Sequence, residues 1–189
     1  MQSTNNLLMI RPVDFKFNEQ TASNNMFQQD SDDENVQQKA LKEFDGFVSQ
    51  LRKNGIDVTV INDTLQPETP DSIFPNNWIS FHEDGTVVLY PMFSENRRLE
   101  RRQDILEELS SKFVVSKVID LSDYENKNHF LEGTGSLVLD RKAKIAYACR
   151  SLRTSEEVIE DFCSQTGYTY LLFNALDGSG FPIYHTNVM

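Results

Sequence analysis

A single acid, Glu132, stands at the start of a glycine-rich turn that leads directly into an apolar stretch of the chain. Gly133 and Gly135 flank Thr134, and glycine accepts positive φ and has no Cβ, so the backbone here can approach whatever Glu132 faces. A carboxylate in that position accepts hydrogen bonds from N–H groups. The turn alone is more typical of an acid that caps the turn, and it also fits an acid that faces a ligand.

Three further polar clusters lie at the ends of predicted strands: Asn77 within residues 71–78, Arg153 within residues 151–154, and His185 with Asn187 within residues 184–187. Each has an ordinary structural explanation, namely a Pro-Asn turn, a surface arginine and a histidine satisfied within the fold. A ring of similar structural units would instead aim all of them, with the acid, at a common centre. The sequence thus offers an acid, an imidazole, a guanidinium and two amides for one site.

The hydrophobic pattern predicts the elements that must position these residues. The predicted strands cover residues 7–10, 56–61, 78–81, 86–90, 113–121, 136–140, 145–149 and 169–173. The predicted helices cover residues 34–54, residues 96–112 with Leu99, Ile105, Leu106 and Leu109 inward, and residues 154–165 with Thr154 as N-cap. The polar residues 18–25 and the acidic residues 28–34 predict a surface loop.

The order strand, strand, helix, strand recurs three times, with a period of about 60 residues. The modules cover about residues 1–70, 71–125 and 126–180, and residues 181–189 fit the first strand of a fourth. A chain that ends inside an apolar run leaves a strand edge without its neighbour, which proteins normally avoid. We therefore expect residues 1–189 to form one incomplete domain from the front part of a longer protein.

Composition excludes several classes of function. A net charge of −11 argues against nucleic acid or an anionic membrane as a partner. No window reaches the ~20 apolar residues of a membrane span, and the first residues form no signal peptide. Cys149 and Cys163 lie in apolar contexts typical of buried thiols in a cytoplasmic protein. The histidines lack metal-ligand spacing.

Taken together, the clusters resemble those of the guanidino-modifying superfamily of arginine deiminases, dimethylarginine dimethylaminohydrolases and amidinotransferases. The chain is most similar to the branch named amidinotransferases, which includes citrulline-utilising hydrolases. The similar positions are Arg11-Pro12 with Asn24-Asn25, residues 74–78, residues 132–135 and residues 184–189. The resemblance implies an α+β fold of the α/β-propeller type, the pentein, in which ββαβ modules form a five-bladed ring with about three modules present here.

The resemblance also implies roles for three of the residues. Glu132 matches the acid that holds the terminal nitrogens of the substrate, and His185 matches the general acid/base on the strand that opens the fourth module. An amine leaves poorly unless it is protonated, so this chemistry needs an imidazole within reach. Arg153 is similar to an arginine that grips the substrate α-carboxylate with two parallel bonds. No cofactor is implied, because thiol, acid and imidazole suffice.

Two departures from the superfamily pattern are informative. Asn77 and Asn187 stand where arginine deiminases have aspartates that bind the guanidinium. An amide satisfies the C=O and NH₂ of a ureido group, whereas an aspartate pair suits a cation. The nucleophilic cysteine of the superfamily has no counterpart here, because neither Cys149 nor Cys163 matches it. These departures predict a ureido substrate such as citrulline over arginine, and no activity from residues 1–189 alone.

The leading hypothesis is a hydrolase or amidinotransferase that acts on a C–N bond of a ureido or guanidino amino acid. Its partner would be that small molecule, and the sequence leaves a homodimer open. One alternative is a non-catalytic pentein used as a binding module, although a pure scaffold has no reason to gather an acid, a histidine and an arginine at strand ends. The other is a truncated, inactive fragment with exposed sheet edges.

Overall fold

The structure is a computed structural model that describes residues 2–22, 28 and 35–189. It contains two compact units, one of residues 3–75 and one of residues 76–189 together with Gln2. The Asn24-Asn25 pair, the predicted helix start at residue 34 and most of the predicted loop at 28–34 lie outside the described residues.

The first unit contains two strands and the helices between them: β1 (Asn6–Arg11), α1 (Glu19–Ala22), α2 (Val36–Lys53) and β2 (Asp57–Asn62). The two strands pair in parallel along their whole length, so the chain must cross over between them, and α2 is the main helix of that crossover. It ends before Gly55, whose φ of +80° reverses the chain as its position in the sequence predicted. Among the described residues this unit has one strand before its long helix, not the two of a full ββαβ module.

The second unit contains two complete ββαβ modules. The first consists of β3 (Ile79–Phe81), β4 (Thr86–Leu89), α3 (Glu95–Arg98), α4 (Gln103–Lys112) and β5 (Lys117–Asp120), and the second of α5 (Gly133–Ser136), β6 (Leu137–Asp140), β7 (Ile145–Cys149), α6 (Glu156–Thr166) and β8 (Thr169–Phe173). In each, an antiparallel hairpin is followed by a helix and by a strand that pairs in parallel with the second hairpin strand. The hairpins and strand 169–173 confirm the sequence pattern.

One hydrophobic core joins the two modules of the second unit. Val88 of β4 and Ile119 of β5 lie in the same buried cluster as Leu137 of β6 and Ile159 and Phe162 of α6. Burying such side chains contributes on the order of 1.5–3 kcal/mol each. This shared core holds the ends of the two hairpins together, and Asn77, Glu132 and Arg153 lie next to those ends in the chain.

The predicted helix over residues 96–112 is wrong as a single helix. The chain forms α3, then leaves helical conformation, and begins again as α4. Leu99 was predicted to face inward and is 49% exposed, while Arg97 and Glu100 are buried instead. The inward position next to Leu99 is taken by the ion pair between these two residues, and the break after α3 resets the phase of the hydrophobic pattern.

Two predicted strands are also wrong in extent or kind. Only Lys117–Asp120 of residues 113–121 pairs as a strand, and Val114 is 84% exposed. Residues 181–189 form no strand: they make one isolated bridge and end in the 3-10 turn Thr186–Val188. At α6 the N-cap is Ser155, not Thr154, because the chain makes a tight turn at residues 151–154 before the helix begins.

A buried polar network on the first hairpin makes the stability of this unit depend on pH. The Nε2 atom of His82 lies 3.1 Å from the Ser80 hydroxyl, which lies 2.7 Å from the hydroxyl of buried Tyr90. Burial, together with the positive charge of Arg141, lowers the pKa of His82 to about 4. The neutral imidazole therefore stabilises the fold above the ordinary histidine pKa, and this stability is lost as pH falls through about 4.

We expect the substitution His82→Gln to flatten the dependence of unfolding free energy on pH between about 6.5 and 4. Glutamine offers Ser80 an amide but takes up no proton in this range. Wild type should lose up to about 3 kcal/mol more than the variant over that interval. Urea denaturation at a series of pH values measures the difference. If the unfolding free energies of wild type and variant changed in parallel with pH, the low pKa of His82 would be contradicted.

Candidate active site

Glu132 is the centre of a buried cluster in the second unit. Its side chain has no solvent exposure, and its Oε2 atom lies 2.6 Å from Nε2 of His185 and 3.1 Å from Nη1 of Arg153. Its Oε1 atom accepts a hydrogen bond of 3.1 Å from the backbone N–H of Phe93. The structure thus brings together the acid, the imidazole and the guanidinium that the sequence placed at separate element ends.

The protonation states of the pair follow from burial and charge. Burial alone would raise the pKa of Glu132, but the hydrogen bond to His185 and the charges of Arg153 and Arg97 outweigh it and lower the pKa to about 2. Burial lowers the pKa of His185, more than its contact with Glu132 raises it. At neutral pH we therefore assign an ionised carboxylate and a neutral imidazole that carries its proton on Nε2, which leaves the lone pair on Nδ1.

The glycine-rich turn is needed for this packing. It forms the single-turn helix α5, and Gly133 at its start has a φ of +43° and lies against the carbonyl oxygen of Asn76. A Cβ on Gly135 would contact the Nδ2 atom of Asn77 and would lie 2.7 Å from Cε1 and 2.8 Å from Nδ1 of His185. Both glycines are therefore required by close approach, as the sequence suggested for a backbone that comes near its neighbours.

A second buried ion pair adjoins the first, and the sequence did not reveal it. The guanidinium of Arg97 binds both carboxylate oxygens of Glu100, at 2.8 and 2.9 Å, and its Nη1 donates a 2.7 Å hydrogen bond to Oδ1 of Asn77. All three side chains are buried. The only sequence signal is an Arg–Glu spacing of i, i+3, which is common on exposed helix faces.

Asn187 is the sequence-predicted site residue that the structure leaves outside the cluster. It is an exposed residue of the turn Thr186–Val188, and its side chain makes no hydrogen bond to the acid, imidazole or guanidinium groups of the cluster. His185 itself precedes this turn in irregular backbone, so its predicted place on a strand is wrong. The cluster thus contains two anions, two cations, one neutral imidazole and one amide, from Asn77.

The described part of the chain shows no grouping of His, Cys, Asp and Glu that could hold a metal ion. Within the same residues, no helix is long and apolar enough to cross a membrane.

These features define a pentein-fold protein with a buried acid–imidazole–guanidinium cluster. The family model for "N,N dimethylarginine dimethylhydrolase, eukaryotic" matches residues 11–189. The chain therefore belongs to the eukaryotic N,N-dimethylarginine dimethylhydrolase family, within the pentein and amidinotransferase superfamily that the motifs resembled. A search of curated proteins found no significant match.

Several solved structures share the fold. The dimethylarginine dimethylaminohydrolase of Pseudomonas aeruginosa, in a mutant complex with citrulline, is 16% identical with a TM-score of 0.66, over 95% of this chain and 62% of that one. The N-terminal domain of the cyanobacterial arginine dihydrolase ArgZ is 17% identical with a TM-score of 0.63, over 95% of this chain and 66% of that one. This chain spans only 62%, 63% and 60% of the length of the first three similar structures.

We expect Gly135→Ala to disturb the cluster, because the added methyl group overlaps the side chains of Asn77 and His185. Overpacking of this kind costs about 1–3 kcal/mol of unfolding free energy. Gly46→Ala is the matched control: Gly46 lies inside α2 with open space around its Cα, so the same change should stabilise by about 0.5–1 kcal/mol. Urea denaturation compares the two, and a Gly135→Ala protein as stable as wild type would refute the close approach.

Proposed function

We propose that this chain carries the substrate-binding and acid–base residues of a hydrolase that cleaves a C–N bond in the guanidino group of an arginine-like amino acid. One observation carries the proposal: Oε2 of Glu132 is shared between the imidazole of His185 and the guanidinium of Arg153. The acid already binds a guanidinium beside a proton-exchanging group. The family name makes an N-methylated arginine the first candidate substrate.

The substrate would enter by exchange with the ion pair between Glu132 and Arg153. Its guanidinium takes the place of the Arg153 guanidinium on the carboxylate, and the released Arg153 binds the substrate α-carboxylate with two parallel hydrogen bonds. A carboxylate offers about four acceptor positions, so the bonds from Phe93 and His185 can persist. Each buried charge then keeps an opposite partner, which is the condition for burying charges at acceptable cost.

His185 is suited to move the proton of the reaction. In the proposed reaction its Nδ1 atom takes the proton of a thiol, and the thiolate forms a C–S bond with the guanidino carbon. The C–N bond breaks as the amine leaves with that proton, and water then replaces sulfur to give a ureido product. Glu132 stabilises the transient imidazolium through its 2.6 Å contact with Nε2.

Neither cysteine of this chain is suited to supply that thiolate. Cys149 is fully buried, and its thiol donates a 3.1 Å hydrogen bond to the carbonyl oxygen of Ile183. Burial raises the pKa of Cys163 to about 11, so that thiol stays protonated at neutral pH. The thiolate would therefore come from a cysteine other than these two, and residues 1–189 would bind a substrate without turning it over.

A ureido amino acid is the second candidate substrate, and Asn77 favours it. Asn77 supplies an amide where a carboxylate would suit a cation, and it is fixed by its hydrogen bond to Arg97. The cluster around it has no net charge, so a neutral ureido group enters without adding one. Citrulline binding in the Pseudomonas enzyme shows that a protein of this fold accommodates such a group.

We expect residues 1–189 to bind dimethylarginine with an affinity that Glu132→Gln weakens more than tenfold, because the amide cannot neutralise a guanidinium. Glu108→Gln is the control, since Glu108 lies on the exposed face of α4 and its side chain is 48% exposed. Isothermal titration calorimetry measures both variants, with circular dichroism to confirm folding. Equal affinity of wild type and Glu132→Gln would contradict the proposed site, and ligand turnover lost in Cys149→Ala would contradict the thiol argument.

Asn77→Asp should raise the preference for arginine over citrulline by about tenfold, because it adds a buried negative charge next to the guanidino site. Asn187→Asp makes the same chemical change at an exposed position and should leave the preference unchanged. The ratio of the two dissociation constants, measured for each variant, is the readout. A ratio that moves equally in both variants would show that overall charge, not the site, sets selectivity.

A further inference from the structure

His185 is held in place without a strand, through short side chains at the end of β7. The thiol of Cys149 donates to the carbonyl oxygen of Ile183, and the hydroxyl of Ser151 donates a 2.8 Å hydrogen bond to the carbonyl oxygen of Tyr184. These bonds attach the two residues that precede the imidazole. They attach the segment to the end of β7, but they do not bind the residue that follows His185.

Thr186 supplies that attachment with a single hydroxyl group. Its Oγ1 accepts a 2.8 Å hydrogen bond from the backbone N–H of Cys149 and donates a 2.6 Å hydrogen bond to the carbonyl oxygen of Ser136. Thr186 is 5% exposed and both partner residues are fully buried. The hydroxyl thus satisfies one donor and one acceptor of buried backbone, which water cannot do there.

Ser136 connects the other two groups of the cluster to the same point. Its hydroxyl accepts a 3.0 Å hydrogen bond from the backbone N–H of Glu132 and donates a 2.8 Å hydrogen bond to the carbonyl oxygen of Arg153. Its own carbonyl oxygen is the acceptor for Thr186. The backbone that carries the acid, the backbone that carries the guanidinium and the neighbour of the imidazole therefore meet at one serine.

We propose that Ser136 and Thr186 are positioning residues that together set the 2.6 Å contact between Glu132 and His185. Each hydroxyl acts at once as donor and acceptor, so no apolar side chain of similar size replaces it. A hydrogen bond as short as this contact tolerates little displacement of either backbone. The proposal rests on the proposed function only for the chemical role of the pair, and its test needs no substrate.

The substitutions Thr186→Val and Thr186→Ser separate the contribution of the hydroxyl group from that of the methyl group, because each removes one and keeps the other. The chain has three histidines, so the ring nitrogen signals of His185 can be assigned by nuclear magnetic resonance with a His185→Asn variant. Wild type and Thr186→Ser should show one neutral tautomer with a slowly exchanging Nε2–H. Thr186→Val should show mixed tautomers and exchange of that proton at least about tenfold faster, since one net hydrogen bond corresponds to roughly that factor.

Thr154→Val is the matched control. Thr154 is also 5% exposed in the same unit, but its hydroxyl makes only a 3.3 Å contact with the hydroxyl of Ser151. It should leave the tautomer of His185 unchanged.

If Thr186→Val fails to fold, Ser136→Ala takes its place, with the same expectation for the His185 proton. A wild-type His185 signal in a folded Thr186→Val or Ser136→Ala protein overturns the proposal, and so does a Thr186→Ser protein that behaves like the valine variant. Equal affinity of wild type and Glu132→Gln for dimethylarginine would overturn the proposed function without affecting these results.

Discussion

A carboxylate without solvent contact must be paired with charges and hydrogen-bond donors. In the second unit, the arrangement of several segments follows from this requirement at Glu132. Moving a carboxylate into a protein interior costs several kcal/mol unless charges and hydrogen bonds replace its water. The replacements come from three distant parts of the sequence: the backbone of Phe93, the side chain of Arg153 and the side chain of His185. Satisfying this one group therefore brings the segment after β4, the turn before α6 and the C-terminal segment together.

The contribution of Phe93 depends in turn on a second set of charges. Glu125 accepts a 2.7 Å hydrogen bond from the backbone N–H of Met92 and binds both terminal nitrogens of Arg101, at 2.7 and 2.8 Å. Arg98 donates to the carbonyl oxygens of Met92 and Phe93. The segment that reaches Glu132 is thus held on one side by the partly buried Glu125–Arg101 pair, whose geometry is bidentate and so well defined, and on the other by Arg98.

The sequence pattern predicted most elements of the second unit, because its hairpins consist of short apolar runs around polar turns and its helix α6 has one apolar face. It failed where polar groups replace apolar ones inside the fold. The pattern predicted Arg97 and Glu100 as surface charges and Leu99 as core. In the structure the two charged side chains pair with each other in the interior, and Leu99 is exposed. It also failed at residues 181–189, where the side chains of Ser151 and Thr186 take over the bonding that a strand would provide. An apolar run predicts burial, but it does not say which groups satisfy the backbone.

The closed cluster also limits which molecules the proposed site can admit. Removing one partner of a buried ion pair costs about 3–5 kcal/mol, so separating Arg153 from Glu132 is unfavourable unless both are paired again at once. A free guanidinium pairs the acid but brings no carboxylate to Arg153, and a simple carboxylate does the reverse. An amino acid with a guanidino group at its far end carries both charges on one flexible chain. In the proposed exchange, the interaction that stabilises the site before binding is therefore also the one that selects for a substrate with both groups.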